Sequence, residues 1–158
     1  MMFAFHTLEA YLNFAGHKLA PEIWATERDY FRKEPYRGFD GKIRKIISLV
    51  GIIEPDRTVR PYSSIWLLKE LRDLIAHAKL ELFSGTIEHP EDEEPTLQLS
   101  QVAALVTREN VLHTSSDVEN FIEMLHQAAR PFVADKWFGD KALKGAIQHS
   151  GAHTSIVP

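Results

Sequence analysis

Phe5, Leu8, Tyr11, Leu12 and Ala15 recur at intervals of three and four residues, the spacing that lines apolar side chains along one face of a helix. The pattern predicts a first helix starting almost at Met1 and closing at Gly16, a residue type common at helix C-termini. From Gly16 to Gly38 the periodicity weakens, and Ile23, Trp24, Tyr30 and Phe31 predict a second helical segment that Pro35 interrupts. Asp40 reads as the N-cap of a helix with Ile43, Ile46, Ile47 and Val50 on its apolar face and Gly51 near its end. The stretch from Glu54 to Pro61, with two prolines and four charges, reads as a connection.

A longer helix is expected from about Pro61 or Ser63 to about Leu82, with Leu67, Leu68, Leu71, Leu74, Ile75 and Ala78 turned inward. At about 100° per residue these positions form a stripe roughly 120° wide. Arg72 and His77 then flank the opposite surface, with Lys69, Asp73 and Ala76 between them. Asp73 and His77 are four residues apart, the spacing at which helical side chains meet. Trp66 projects onto the same surface, where a large aromatic calls for a cover. A partner subunit would supply it, with small Ala76 allowing close approach; another helix of the same chain is the alternative.

Past Leu82 the character changes. Residues 88 to 95, rich in Glu and bounded by prolines, read as an exposed acidic loop. Residues 97 to 113 are ambiguous, with Gln101 to Thr107 fitting a short strand or an irregular apolar segment. Ser116-Asp117-Val118-Glu119 has the capping-box pattern and predicts a helix with Val118, Phe121, Ile122, Leu125 and Ala129 on one side, ended or bent at Pro131. A final helical segment is expected around Phe132 to Ile147, followed by a frayed tail over residues 150 to 158.

Composition narrows the class. With 158 residues and 44% hydrophobic content the chain can bury one sizeable core, so residues 1 to 149 are expected to form one domain. The absence of cysteine removes disulfides and thiolate chemistry, which fits a cytoplasmic protein. The N-terminus lacks the pattern of a secretion signal, and the longest apolar run, Ile46 to Ile53, is far short of a membrane span. The net charge of −4 conceals a division: residues 18 to 79 carry +4 and residues 80 to 135 carry −9. Local positive fields are compatible with an acidic chain, although ordinary variation among solvated faces explains the same numbers.

Arg72, Asp73 and His77 lie in the basic half, and their chemistry suits RNA phosphodiester cleavage: a fixed cation, a carboxylate to orient it, and a group that titrates near neutrality. A surface Arg-Asp-His cluster on a helix is the bland counterpart. Lys69, Lys42 and Lys45, with Arg44, would extend a substrate-binding surface, or equally form a solvated helix face. The other histidines form no site; His149 and His153 have a ligand spacing but fall in the tail, and residues 91 to 94 lack the pattern of a calcium loop. No phosphate-binding glycine loop or nucleophile elbow occurs.

Leu71-Arg72-Asp73-Leu74-Ile75-Ala76-His77 resembles the signature of the HEPN superfamily, an arginine, then Asn, Asp or His, then three residues and a histidine. Leu8-Glu9-Ala10-Tyr11-Leu12-Asn13 and the helix with Lys42, Ile43, Ile46 and Ile47 are also similar to prokaryotic members, so the likeness covers roughly residues 3 to 82. The resemblance implies an all-α antiparallel bundle of four to six helices, built around a long motif helix. It further implies a homodimer in which two motif helices face each other. The implied activity is metal-independent endoribonuclease cleavage, with no cofactor, in toxin–antitoxin, antiphage or RNA-processing systems. His77 would serve as general base or acid, Arg72 would stabilise the phosphorane, and Asp73 would orient one of them. An antitoxin or other partner protein stays open, as does an inactive member that binds RNA or dimerises.

Overall fold

The first helix passes through Gly16 instead of ending there. In the computed structural model, which describes residues 1–76, 101–134, 139 and 142, α1 spans Met2–Leu19. Gly16 is buried inside it because Trp24 packs on that spot: a Cβ at Gly16 would come within 1.9 Å of the indole ring. The glycine therefore marks a close approach of two elements, not a cap. The weak periodicity that follows resolves into two short helices, α2 (Pro21–Ala25) and α3 (Glu27–Tyr30). They seat Trp24 against α1, and Phe31 packs edge-on to both Trp24 and Tyr30.

α4 spans Gly38–Val50, starting two residues before Asp40, which sits in the first turn and does not cap it. Arg37 is the N-cap residue and makes no side-chain capping bond. At the other end Gly51 takes the left-handed conformation at φ 69°, and its N–H donates to the Ile47 carbonyl, as its residue type suggested. Gly41 serves proximity, since a Cβ there would lie 1.7 Å from the Tyr36 carbonyl oxygen. The turn of residues 31 to 37 is thereby seated directly on the start of α4.

α5, described over Tyr62–Ala76, buries Tyr62, Ile65, Leu68 and Leu71. Leu67 and Leu74 are half-buried, and Ile75, expected inside, is 48% exposed. Ile75 lies a full turn past Leu71, the last buried residue of the described part of α5. The expected continuation of this helix to Leu82 falls outside the described residues, as do His77, Ala78 and the acidic stretch 88 to 95.

Gln101–Leu105 is a short helix, α6, where a strand or irregular segment was expected. α7 spans Arg108–Ala129, nine residues longer at its N-terminus than the capping-box pattern suggested. Its cap is Thr107, whose side chain accepts from the Asn110 backbone N–H at 3.1 Å. Two features hid the true start: Val111 and Leu112 are exposed and extend no buried face, and Ser116, the expected cap, lies inside the helix. A 3₁₀ turn over Arg130–Phe132 ends α7, where Pro131 was expected to end it. The rest of the expected final segment and the tail lie outside the described residues, apart from Val133, Ala134, Gly139 and Ala142.

The fold is all-α: no strand occurs among the described residues, and four long helices surround one core. α1 is the hub, touching α2, α4, α5 and α7. Leu8 and Leu12 of α1, Ile43 and Ile46 of α4, Ile65 and Leu68 of α5, and Phe121, Ile122 and Leu125 of α7 are completely buried. Each such side chain contributes about 1.5–3 kcal/mol by leaving water, which is how a chain without disulfides holds together. The Tyr62 and Phe121 rings stack at 5.1 Å between centroids and tie α5 to α7. No described helix is long and apolar enough to cross a membrane.

Candidate functional site

Because α5 turns its aliphatic face toward α1 and α7, Arg72 and Asp73 emerge on the side toward α4 and the start of α1. Arg72 Nη1 donates to Asp73 Oδ1 at 2.9 Å, and Lys69 Nζ, one turn earlier, donates to Asp73 Oδ2 at 2.9 Å. One carboxylate is thus shared by two cations, leaving a local positive excess. Burial on its own would raise the Asp73 pKa, but the hydrogen bonds from Lys69 and Arg72 outweigh it and hold the group below its ordinary value. The Arg72 guanidinium also sits over the Phe5 ring, 5.7 Å from its centroid, and Phe5 in turn packs on Phe39 at 4.8 Å. Two contacts fix Arg72, yet its side chain remains 40% exposed.

These groups line a cavity of about 710 Å³ between α1, α4 and α5. Its floor is Phe5 and Phe39, and its walls carry Glu9, Glu34, Arg37, Asp40, Lys42, Arg44, Lys69, Arg72 and Asp73. Asp40 is the odd member: its Oδ1 is buried without a hydrogen-bond partner. Burial pushes the Asp40 pKa up, against the pull of Lys69, Arg57 and Arg44 and with the push of Asp73. Among the described residues no group of three or more His, Asp or Glu side chains is placed to hold a metal.

The residues expected at the site have different placements. Arg72, Asp73 and Lys69 are brought together in the cavity. His77 is beyond the last described residue of α5. Lys42 reaches the cavity wall but is only 8% exposed, and its ammonium donates to Asn13 Oδ1 at 2.9 Å and to Glu27. Lys45 lies against the Tyr30 and Tyr36 rings, 5.8 and 5.1 Å from their centroids. Trp66 is half-buried against the core, edge-on to Tyr62, with the Arg57 guanidinium 4.0 Å over its ring; the same chain covers much of it, although its Nε1 has no partner. Ala76 is exposed at the end of the described part of α5.

The sequence reading missed Phe5, Glu9, Arg37 and Phe39 as cavity residues and took Asp40 for a cap. A signal for the α4 side existed in two glycines around a charged and aromatic segment: Gly41 marks a backbone held close to another, and Gly38 takes a left-handed φ of 66°. Nothing in the local pattern announces Phe5 and Glu9, which reach the site only through packing of α1 on α4 and α5.

Compared with protein-family models, curated proteins and solved structures, the chain matches none of them.

Proposed function

We propose that this protein is a HEPN-like, metal-independent endoribonuclease whose reacting groups are Arg72, Asp73 and His77. The observation that carries the reading is the state of Arg72: a guanidinium oriented by Asp73 and Phe5, still accessible, at a charged cavity and five residues before the motif histidine. A planar fork fixed in this way suits a phosphodiester and the charge that builds on its oxygens during displacement. His77 takes the proton from a ribose 2′-hydroxyl or gives one to the departing 5′-oxygen. The attack closes a 2′,3′-cyclic phosphate and releases a 5′-hydroxyl.

Two proton transfers call for two groups, and each chain has one motif histidine. A two-fold dimer that places two motif helices side by side supplies both. Exposed Ile75 and Ala76 at the end of the described part of α5 give this arrangement an apolar contact. In the cell the activity would fit a toxin–antitoxin or antiphage role, with a neighbouring protein as its restraint.

A cleavage assay on single-stranded RNA in EDTA, with wild type beside His77→Ala, tests the reading. Activity in the wild type and its loss in a folded, dimeric His77→Ala protein is the expected result. RNA binding without cleavage by either protein would instead favour the second reading, an inactive HEPN-like binding or dimerisation module.

A further inference from the structure

We propose that the cavity at Arg72 and the aromatic cleft beside it form one groove for a single RNA strand, with a phosphate at Arg37 and Arg72 and a base on Tyr36 and Tyr30. The proposal rests on the RNA reading above and extends it to residues outside the motif.

Glu34 joins the two hollows, since it lines both the charged cavity and a second cleft of about 400 Å³ bordered by Thr26, Tyr30, Lys33, Pro35 and Tyr36. Arg44 pins this junction, its Nη2 donating to the Pro35 carbonyl at 2.5 Å. The turn of residues 31 to 37 is also seated on Gly41, so it forms a fixed rim between the hollows.

Each hollow offers half of what a single strand presents. In the first, Arg37 is exposed and its side chain has no hydrogen-bond or ion-pair partner among the described residues, which leaves its guanidinium ready for a phosphate beside Arg72. In the second, the Tyr30 and Tyr36 rings lie nearly parallel, 18° apart with centroids 6.1 Å from each other. Lys45 braces both rings and adds positive charge beneath them. A cationic track with an adjoining aromatic platform is the usual means of holding unpaired nucleotides, because any base can stack.

The acidic groups decide against other occupants. Glu9, Glu34 and Asp40 would repel the dense phosphates of a duplex or the carboxylates of an acidic peptide. A single phosphate at Arg37 and Arg72 meets less of this repulsion than a duplex does, and a base can turn its N–H edge toward a carboxylate.

The test is binding of an eight-nucleotide, 2′-O-methyl RNA carrying 2-aminopurine, which lacks the attacking hydroxyl and separates binding from cleavage. Wild type should bind it and quench the 2-aminopurine, and His77→Ala should do the same. Arg37→Ala should weaken binding and reduce the dependence of log K on log salt by about 0.7. Tyr36→Ala should lose about tenfold in affinity and the quenching, whereas Tyr36→Phe, which keeps the ring, should retain both. Equal affinity and salt dependence for wild type and Arg37→Ala, a Tyr36→Phe protein that fails to quench, or equally tight binding of a duplex would overturn the proposal. If the groove variants behave as expected while wild type leaves natural RNA intact, the cleavage reading fails and the groove stands. If natural RNA is cleaved with the same KM by wild type, Arg37→Ala and Tyr36→Ala, and the analogue is not bound, the groove fails and the cleavage reading stands.

Discussion

Two arginine–aspartate pairs involve α5 and its approach, and they have opposite characters. Arg60, just before α5, grips Asp117 of α7 through Nε and Nη2 at 2.7 and 2.8 Å, and Ser64 of α5 donates to the same carboxylate at 2.5 Å. Asp117 has only 5% of its side chain exposed, and its partners join elements more than fifty residues apart in sequence. Asp73, by contrast, is 35% exposed, and its partners, Lys69 and Arg72, come from its own helix. The first pair fastens α5 to α7. The second holds nothing together that the core does not already hold, and serves to aim Arg72 into an open cavity. Residue types alone do not separate a latch from a site; burial and the sequence distance to the partners do.

The largest expected effect is at the open pair. Arg72→Ala should lower RNA cleavage by about 10²–10³-fold, the cost typical of losing one positioned donor to a developing oxyanion. Its thermal midpoint should stay close to that of wild type, because the helix and its core face are untouched. A large fall in Tm together with the loss of activity would assign Arg72 to the scaffold.

Next in size is Gly41→Ala. The added methyl collides with the Tyr36 carbonyl and forces the rim of the cavity away from α4, with a cost of about 1–3 kcal/mol in denaturant unfolding and weaker RNA binding. Unchanged stability would show that the turn seats elsewhere.

At the buried pair, Asp117→Ala should lower Tm by several degrees while leaving the cleavage rate per folded molecule unchanged at a temperature where the variant is folded. A rate that falls with Tm unchanged would reverse the two assignments.

A smaller effect separates Asp117 from Asp40 by pH. Burial would raise the Asp117 pKa, but bonds from Arg60 and Ser64 override it and leave the group below its ordinary 3.8. Its stabilisation is therefore present above about pH 4 and is lost as pH falls through the folded-state value. Asp40 has the opposite sign, since burial raises its pKa and folding then weakens as pH rises past 3.8 toward the folded value. Asp117→Asn should lower Tm at pH 7 and flatten the acid limb of the stability curve, whereas Asp40→Asn should hold or raise Tm at pH 7. Parallel responses of the two variants, measured by thermal melts between pH 2 and 7, would contradict the contrast.

The sequence was most legible where apolar period and tertiary packing agree. The α1 face of Phe5, Leu8, Tyr11, Leu12 and Ala15, the α4 face of Ile43, Ile46 and Ile47, and the α7 face of Val118, Phe121, Ile122 and Leu125 are all buried as their spacing implied. It was least legible where one residue type has two uses. Gly16 and Gly41 make room for neighbours, although glycine also ends helices, and Asp117, inside a capping-box pattern that caps nothing, accepts from distant partners. Arg72, Asp73 and Lys69 could be grouped from a helical projection because they share one helix. Phe5 and Glu9 join them only after the chain has folded, so no local pattern contained the α1 side of the cavity.

The most direct measurement of the central claim is the end chemistry of RNA incubated with the full chain in EDTA. The account predicts fragments with 2′,3′-cyclic phosphate and 5′-hydroxyl ends, absent when Arg72 or His77 is replaced by alanine. Intact RNA, or fragments formed equally by the wild type and both variants, would contradict it.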